Sequence, residues 1–157
     1  MKIEAITEKD REWVRSLLHE RWGSSNIVTR GRVHQADVLP GFIAYPEGQP
    51  KGLITYQIEK GECEIISLDS LESGRGIGSG LIRSIIDLAR FENCKRVWLI
   101  TTNDNTNALR FYQMLGFELV AIYRNTINAH RKLKPEIPVI GNDGIPVRDE
   151  IELEMKL

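Results

Sequence analysis

The residues best suited to chemistry lie in two short stretches. The first is Ser73-Gly74-Arg75-Gly76-Ile77-Gly78-Ser79-Gly80. Beyond it Ile77, Leu81, Ile85, Leu88 and Ala89 fall on one helical stripe, so the glycines open a helix. A helix N-terminus presents unpaired N–H groups and partial positive charge, and glycine lets a backbone approach an anion closely. Together these make a cradle for a diphosphate. The second stretch runs from Asn105 to Phe117 and holds Tyr112, whose phenol is a candidate proton donor.

The glycine loop alone is a weak signal. It contains no Gly-Lys-Ser/Thr, which excludes a P-loop. A dinucleotide site would need an acidic residue about 20 residues on, at the end of the next strand. Thr101-Thr102-Asn103 stand there, with Asp104 only later. A tight turn that binds nothing stays open, as does Tyr112 as a core residue on the stripe Ala108, Phe111, Tyr112, Leu115.

Taken as a pair, the two stretches resemble the GNAT superfamily of acetyltransferases. Gly76-Ile77-Gly78 matches the second half of the family's acetyl-CoA loop, Arg/Gln-x-x-Gly-x-Gly/Ala. Asn105, Ala108, Tyr112, Gly116 and Phe117 match its later helix, Asn-x-x-Ala-x-x-x-Tyr-x-x-x-Gly-Phe. Ser73 departs from the pattern, standing where the family has Arg or Gln; Arg75 could supply the cationic character instead.

The resemblance implies acetyl-CoA as co-substrate, with no metal. Its contacts would be Leu68, Ser73, Gly74, Arg75, Gly76, Ile77, Gly78, Ser79, Asn105, Ala108 and Tyr112. It also implies direct attack by an amine in a ternary complex, without an acyl-enzyme. Backbone N–H groups at Ser67-Leu68-Asp69 would polarise the carbonyl, and Tyr112 would protonate the thiolate. The general base would be a carboxylate on the strand before the loop: Glu64 first, Asp69 second, with Glu62 also a candidate. Strict alternation puts Glu64 and Ser67 on opposite strand faces, unless a bulge intervenes. Asp104 could face a cationic substrate; His34 reads as a surface residue or a substrate contact.

The elements that must position these groups follow from periodicity. Lys2 to Ile6 alternates like a strand. Thr7 caps a helix carrying Trp13, Val14, Leu17, Leu18 and Trp22, stopped by Gly23. Ser24 to Leu39 lacks a period and reads as loop, with room for a short helix. Phe42–Tyr45, Gly52–Ile58 and Cys63–Leu68 read as strands in two hairpins. Helix, strand (Arg96–Thr101), helix and strand (Phe117–Tyr123) follow, a βαβ-type core. Asn128–Leu133 reads as a helical turn, Pro135–Pro146 as loop and Ile151–Met155 as a last strand. The expected fold is α/β: a GNAT-like mixed sheet of about seven strands, antiparallel at first, with its fourth and fifth strands parallel, flanked by helices.

Composition bounds the rest. The 157 residues suit one domain spanning 1–157, with 41% hydrophobic and 27% charged residues. A net charge of -1 gives no general attraction to nucleic acid or to a membrane. Cys63 and Cys94 sit in apolar runs outside any CxxC, as buried thiols do, and the three histidines lack metal-ligand spacing. No segment looks like a signal peptide or membrane span, so the expected location is cytoplasmic. The acceptor, a small molecule or a protein amine, is not legible. A homodimer contact through the tail stays open, as do two alternatives: a non-enzymatic acyl-CoA-binding or regulatory domain, and a nucleotide-binding module.

Overall fold

The computed structural model describes residues 1–157. Strand β1 (Lys2–Ala5) leads through a 3-10 turn into α1 (Arg11–Trp22). Thr7 opens this helical region by donating its N–H and hydroxyl to the Asp10 carboxylate at 2.8 and 3.0 Å. Gly23 closes it at φ 80°, a left-handed cap. Strands β2 (Asn26–Thr29) and β3 (Arg32–Gln35) follow, then β4 (Gly41–Tyr45), β5 (Gly52–Glu59) and β6 (Glu62–Ser70). Helix α2 (Ile77–Phe91), β7 (Arg96–Thr102), α3 (Thr106–Met114), β8 (Glu118–Tyr123), α4 (Ile127–Leu133) and β9 (Glu150–Lys156) complete the chain.

Seven strands form one sheet in the order β1-β4-β5-β6-β7-β9-β8. Only β6 and β7 pair in parallel; every other neighbouring pair is antiparallel. This is the mixed sheet the sequence predicts. One detail differs: β8 does not pair with β7, because β9 returns antiparallel and inserts between them. The last strand earns that central place through Leu153, which is fully buried.

The two faces of the sheet carry separate cores. Ile77, Leu81, Ile82 and Ile85 of α2 pack on Ile54, Ile65, Val97, Leu99 and Leu153. Val14, Leu17 and Leu18 of α1 pack on Ile43, Leu53 and Ile66 from the opposite side. Cys63 and Cys94 are both buried and unbridged, and burial pushes the Cys63 thiol up to about 12. No helix is long and apolar enough to cross a membrane.

The segment Ser24–Leu39 corrects an expectation. It is a β2–β3 hairpin followed by one 3-10 turn, rather than loop or helix. Its two-residue turn is Arg30-Gly31, both at positive φ (50° and 77°), the geometry that matches strand twist in tight hairpins. The hairpin folds onto the α1 face and turns Ile27, Thr29 and His34 inward.

Candidate active site

The site is made where two parallel strands part. β6 and β7 are paired only from Glu62–Ile65 and Arg96–Leu99. At that point β6 carries a bulge: Ile65 faces Tyr56 and Ser67 faces Thr55, so Ile66 is the extra residue. Beyond it β6 stays with β5, while β7 stays with β9. The bulge also puts Glu64 and Ser67 opposite Gln57 and Thr55, two residues apart on β5. Both therefore share a face, against strict alternation.

The parting leaves backbone groups without a strand partner. Leu71 donates its N–H to Lys51 O at 2.8 Å, so alternation aims the Asp69 and Ser67 amides at β5 too. The intervening Leu68 and Ser70 amides point into the gap. A cavity of about 460 Å³ fills this gap, bordered by Ile65–Leu68 and Ser70 on one side and Leu99–Thr101 on the other.

The glycine loop closes one end of the cavity. Gly74 and Gly76 hold φ of 74° and 70°, and Gly76 is the N-cap of α2. A Cβ at Gly74 would meet nothing, so conformation rather than space selects glycine there. Gly78 differs: a Cβ would come within 3.1 Å of the Phe111 ring, so it is the point where α2 and α3 touch. The first intrahelical bond here is Gly80 N–H to Gly76 O at 3.0 Å, which leaves the amides just before it free toward the cavity. Ser73, Gly74, Gly76, Ile77, Gly78 and Ser79 all border it. Arg75 does not: its guanidinium is held by Glu72 and Glu47, at 3.0 Å each. The expected compensation for Ser73 is thus spent on loop carboxylates.

Helix α3 forms the other wall. Asn105 caps it, accepting the Ala108 N–H at 3.2 Å, which leaves the Asn105 side-chain NH₂ uncommitted beside the cavity. Ala108, Phe111 and Tyr112 also border it. Tyr112 is 6% exposed and packs edge-on against Phe111 and Phe117. Burial, then the nearby Asp69 charge, raises its pKa and keeps the phenol protonated. Tyr112 is therefore both a core residue and a cavity residue.

Residues 6–117 match the Acetyltransferase (GNAT) family. The chain belongs to that family. Among relatives of this GNAT chain, protein YdhI of Bacillus subtilis is 43% identical over 133 residues, spanning 84% of this chain and 83% of that protein. A Bacillus subtilis acetyltransferase solved in complex with CoA has a TM-score of 0.74 at 19% identity, covering 99% and 98% of the two chains. A GNAT family acetyltransferase from Elizabethkingia anophelis, solved with acetyl-CoA bound, has a TM-score of 0.71 at 21% identity, covering 99% and 97%.

The carboxylates proposed as base part company in this GNAT structure. Asp69 shares the α1 face with Leu53, accepts the Trp22 indole N–H at 2.9 Å and does not border the cavity. Glu62 is bonded to Arg96, which also holds Glu152 and Glu154. Glu64 is 8% exposed, and burial raises it to about 7 against a weaker lowering by Thr29. Its Oε2 accepts the Thr29 hydroxyl at 2.8 Å, and Thr29 Oγ1 lies 2.7 Å from His34 Nε2. His34 is 3% exposed, which overturns its reading as a surface residue; it was invisible as core because the hairpin that buries it was read as loop.

A second cavity of about 500 Å³ continues from the first, sharing Trp22, Ile66, Ile100, Thr101 and Asn105. Thr29, Asp104, His130, Lys134 and Glu150 border it, and of these only Asp104 stood out in the sequence. Thr29 also borders a third opening, beside Glu64, Arg32, Gln57 and Trp98. Its hydroxyl is thus the bridge between the second cavity and Glu64.

Proposed function

We propose that this one-domain chain transfers the acetyl group of acetyl-CoA to an amine by direct attack in a ternary complex. One observation carries the reading: the parted strands join two cavities end to end, with an anion cradle on only one of them. That arrangement lets a thioester and a nucleophile enter from opposite sides and meet at Ile66. The CoA and acetyl-CoA held by the two solved neighbours support the ligand.

The chain's residues divide the work. The amides from Gly76 to Ser79 hold the diphosphate. The Leu68 N–H faces the thioester oxygen and stabilises the charge that develops there. The amine nitrogen bonds to the carbonyl carbon and the C–S bond breaks; Tyr112 gives its proton to the departing sulfur. The proton lost by the amine passes through the Thr29 hydroxyl to Glu64. A carboxylate at about 7 accepts it near neutral pH, where an ordinary glutamate would be a much weaker base. Neither cysteine serves as nucleophile, since burial raises both the Cys63 and the Cys94 thiol and holds them protonated.

Titration calorimetry with CoA tests the reading. Saturable heat that is absent with NAD and ATP is expected; no heat with CoA refutes it. CoA release on adding amines then separates a transferase from a domain that only binds the coenzyme.

A further inference from the structure

Four buried ionisable groups, Asp104, His130, Lys134 and Glu150, border the second cavity, and they are not equally satisfied. Asp104 accepts from Thr102 Oγ1 at 2.5 Å, and from the Asn142 N–H and side-chain amide at 3.0 and 3.2 Å. Glu150 accepts from the Arg30 N–H, the Arg30 guanidinium and the Thr126 hydroxyl, at 2.9, 3.0 and 3.1 Å. Lys134 has no such partner: the residue is 6% exposed, and its ammonium has no hydrogen bond and no carboxylate within 4.0 Å. Its described neighbour is the Trp22 ring, 5.8 Å from Nζ.

Burial lowers the Lys134 pKa, and the more distant Glu136 charge offsets only part of that. Glu136 also borders the cavity but is exposed and too distant to pair. Arg21 borders it as well and makes no ion pair. The His130 Nδ1 atom is enclosed with no hydrogen-bond partner, 3.7 Å from Glu150. So Asp104 and Glu150 are already hydrogen-bonded, Glu136 stands exposed at the rim, and Lys134 and Arg21 make no ion pair.

We propose that the acceptor is an amine that also carries an acidic group, carboxylate or phosphate, and that Lys134 binds that group. The amine half rests on the acetyl-transfer reading above; the anionic half rests on Lys134 alone. Trp22 belongs to both cavities and lies under Lys134, so the acidic group sits close to the gap where the amine must react. That closeness favours a compound of amino-acid size. Glu150 is paired with the Arg30 guanidinium, and the Asp104 carboxylate is turned to the Thr102 hydroxyl and the Asn142 amides.

Matched pairs test the proposal: tyrosine against tyramine for carboxylate, phosphoethanolamine against ethanolamine for phosphate. With acetyl-CoA and the full chain, the acid-bearing member of at least one pair is expected to show a kcat/KM at least about tenfold higher, the scale of one charge-assisted contact. Which pair responds identifies the acid. Lys134→Met keeps the stem and removes an unpaired charge, so it should melt at or above the wild type, and the ratio should fall toward one through KM. Preference for the uncharged or cationic members, or a ratio unchanged in K134M, overturns the proposal. If no amine turns over, thermal melting with saturating CoA reads binding alone. An acid-bearing amine that raises the Tm of wild type but not of K134M keeps the anion site while acetyl transfer falls. No rise with either acid removes the site.

Discussion

Replacing Glu64 by Gln should cost activity and add stability, with the second effect set by pH. Burial raises this carboxyl from the ordinary 4.5 to about 7, so the folded state binds its proton more tightly than the unfolded chain. Stability from this group is therefore full below about 4.5, falls as pH rises to about 7, and stays lost above it. At about 1.4 kcal/mol per pH unit, the gap amounts to about 3 kcal/mol. Glu64→Gln removes the charge and keeps an oxygen for the Thr29 hydroxyl. Urea unfolding of both proteins, at about pH 5 and about pH 8.5, gives the comparison as a difference of differences. The variant should gain about 2.5 kcal/mol on the wild type between the two conditions, since part of the gap is already lost at about pH 5, while its kcat falls about a hundredfold or more. Unfolding curves separated by the same amount at both pH values would show that Glu64 titrates normally, and the proton route through it would be wrong.

Other perturbations probe the remaining parts. Tyr112→Phe should lower turnover at least about tenfold, with an unchanged melting curve, if the hydroxyl serves the sulfur rather than the core. Thr29→Val keeps shape but breaks the contact with Glu64; kcat should drop about tenfold or more, and the variant should lose about 1–3 kcal/mol from partners left unsatisfied. Gly76→Val forces a β-branched residue to φ 70° at the cap of α2, so CoA heat in calorimetry should weaken or vanish while the variant stays folded. Arg96→Met leaves Glu62, Glu152 and Glu154 facing one another; a loss of about 3–5 kcal/mol is expected by urea unfolding near neutral pH, shrinking as acid protonates the three.

How much of this was legible depends on whether a feature announces itself locally. The α2 stripe, the Gly23 and Gly116 stops and the alternation from Ile151 to Lys156 each follow from neighbours in sequence: the stripe and the alternation lie in α2 and β9, and the two glycines stand just past α1 and α3 at positive φ. Lys60-Gly61, at φ 53° and 73°, marks the β5–β6 turn and was readable for the same reason. Arg30-Gly31 has the same chemistry between Val28-Thr29 and Arg32-Val33, so the β2–β3 hairpin had a signal. Its four-residue strands are too short to show a period, which is why the polar character of the region dominated. The order of β7, β9 and β8 had no local signal at all, since insertion of the last strand is decided by what Leu153 can bury against.

The two ends of the site differ in the same way. The coenzyme end is built from backbone geometry that glycines impose, so residues within one turn of each other reveal it. The acceptor end draws Trp22 from α1, Thr29 from the hairpin, Lys134 from the end of α4 and Glu150 from β9, residues brought together only by the completed sheet. None of them sits in a spacing that chemistry requires, because each is placed by a different element. Family membership can therefore follow from two short stretches of chain, while the acceptor must be read from burial and charge balance in space. The unpaired ammonium of Lys134 in a cavity shared with two hydrogen-bonded carboxylates is such a reading, and no order of residues along the chain encodes it.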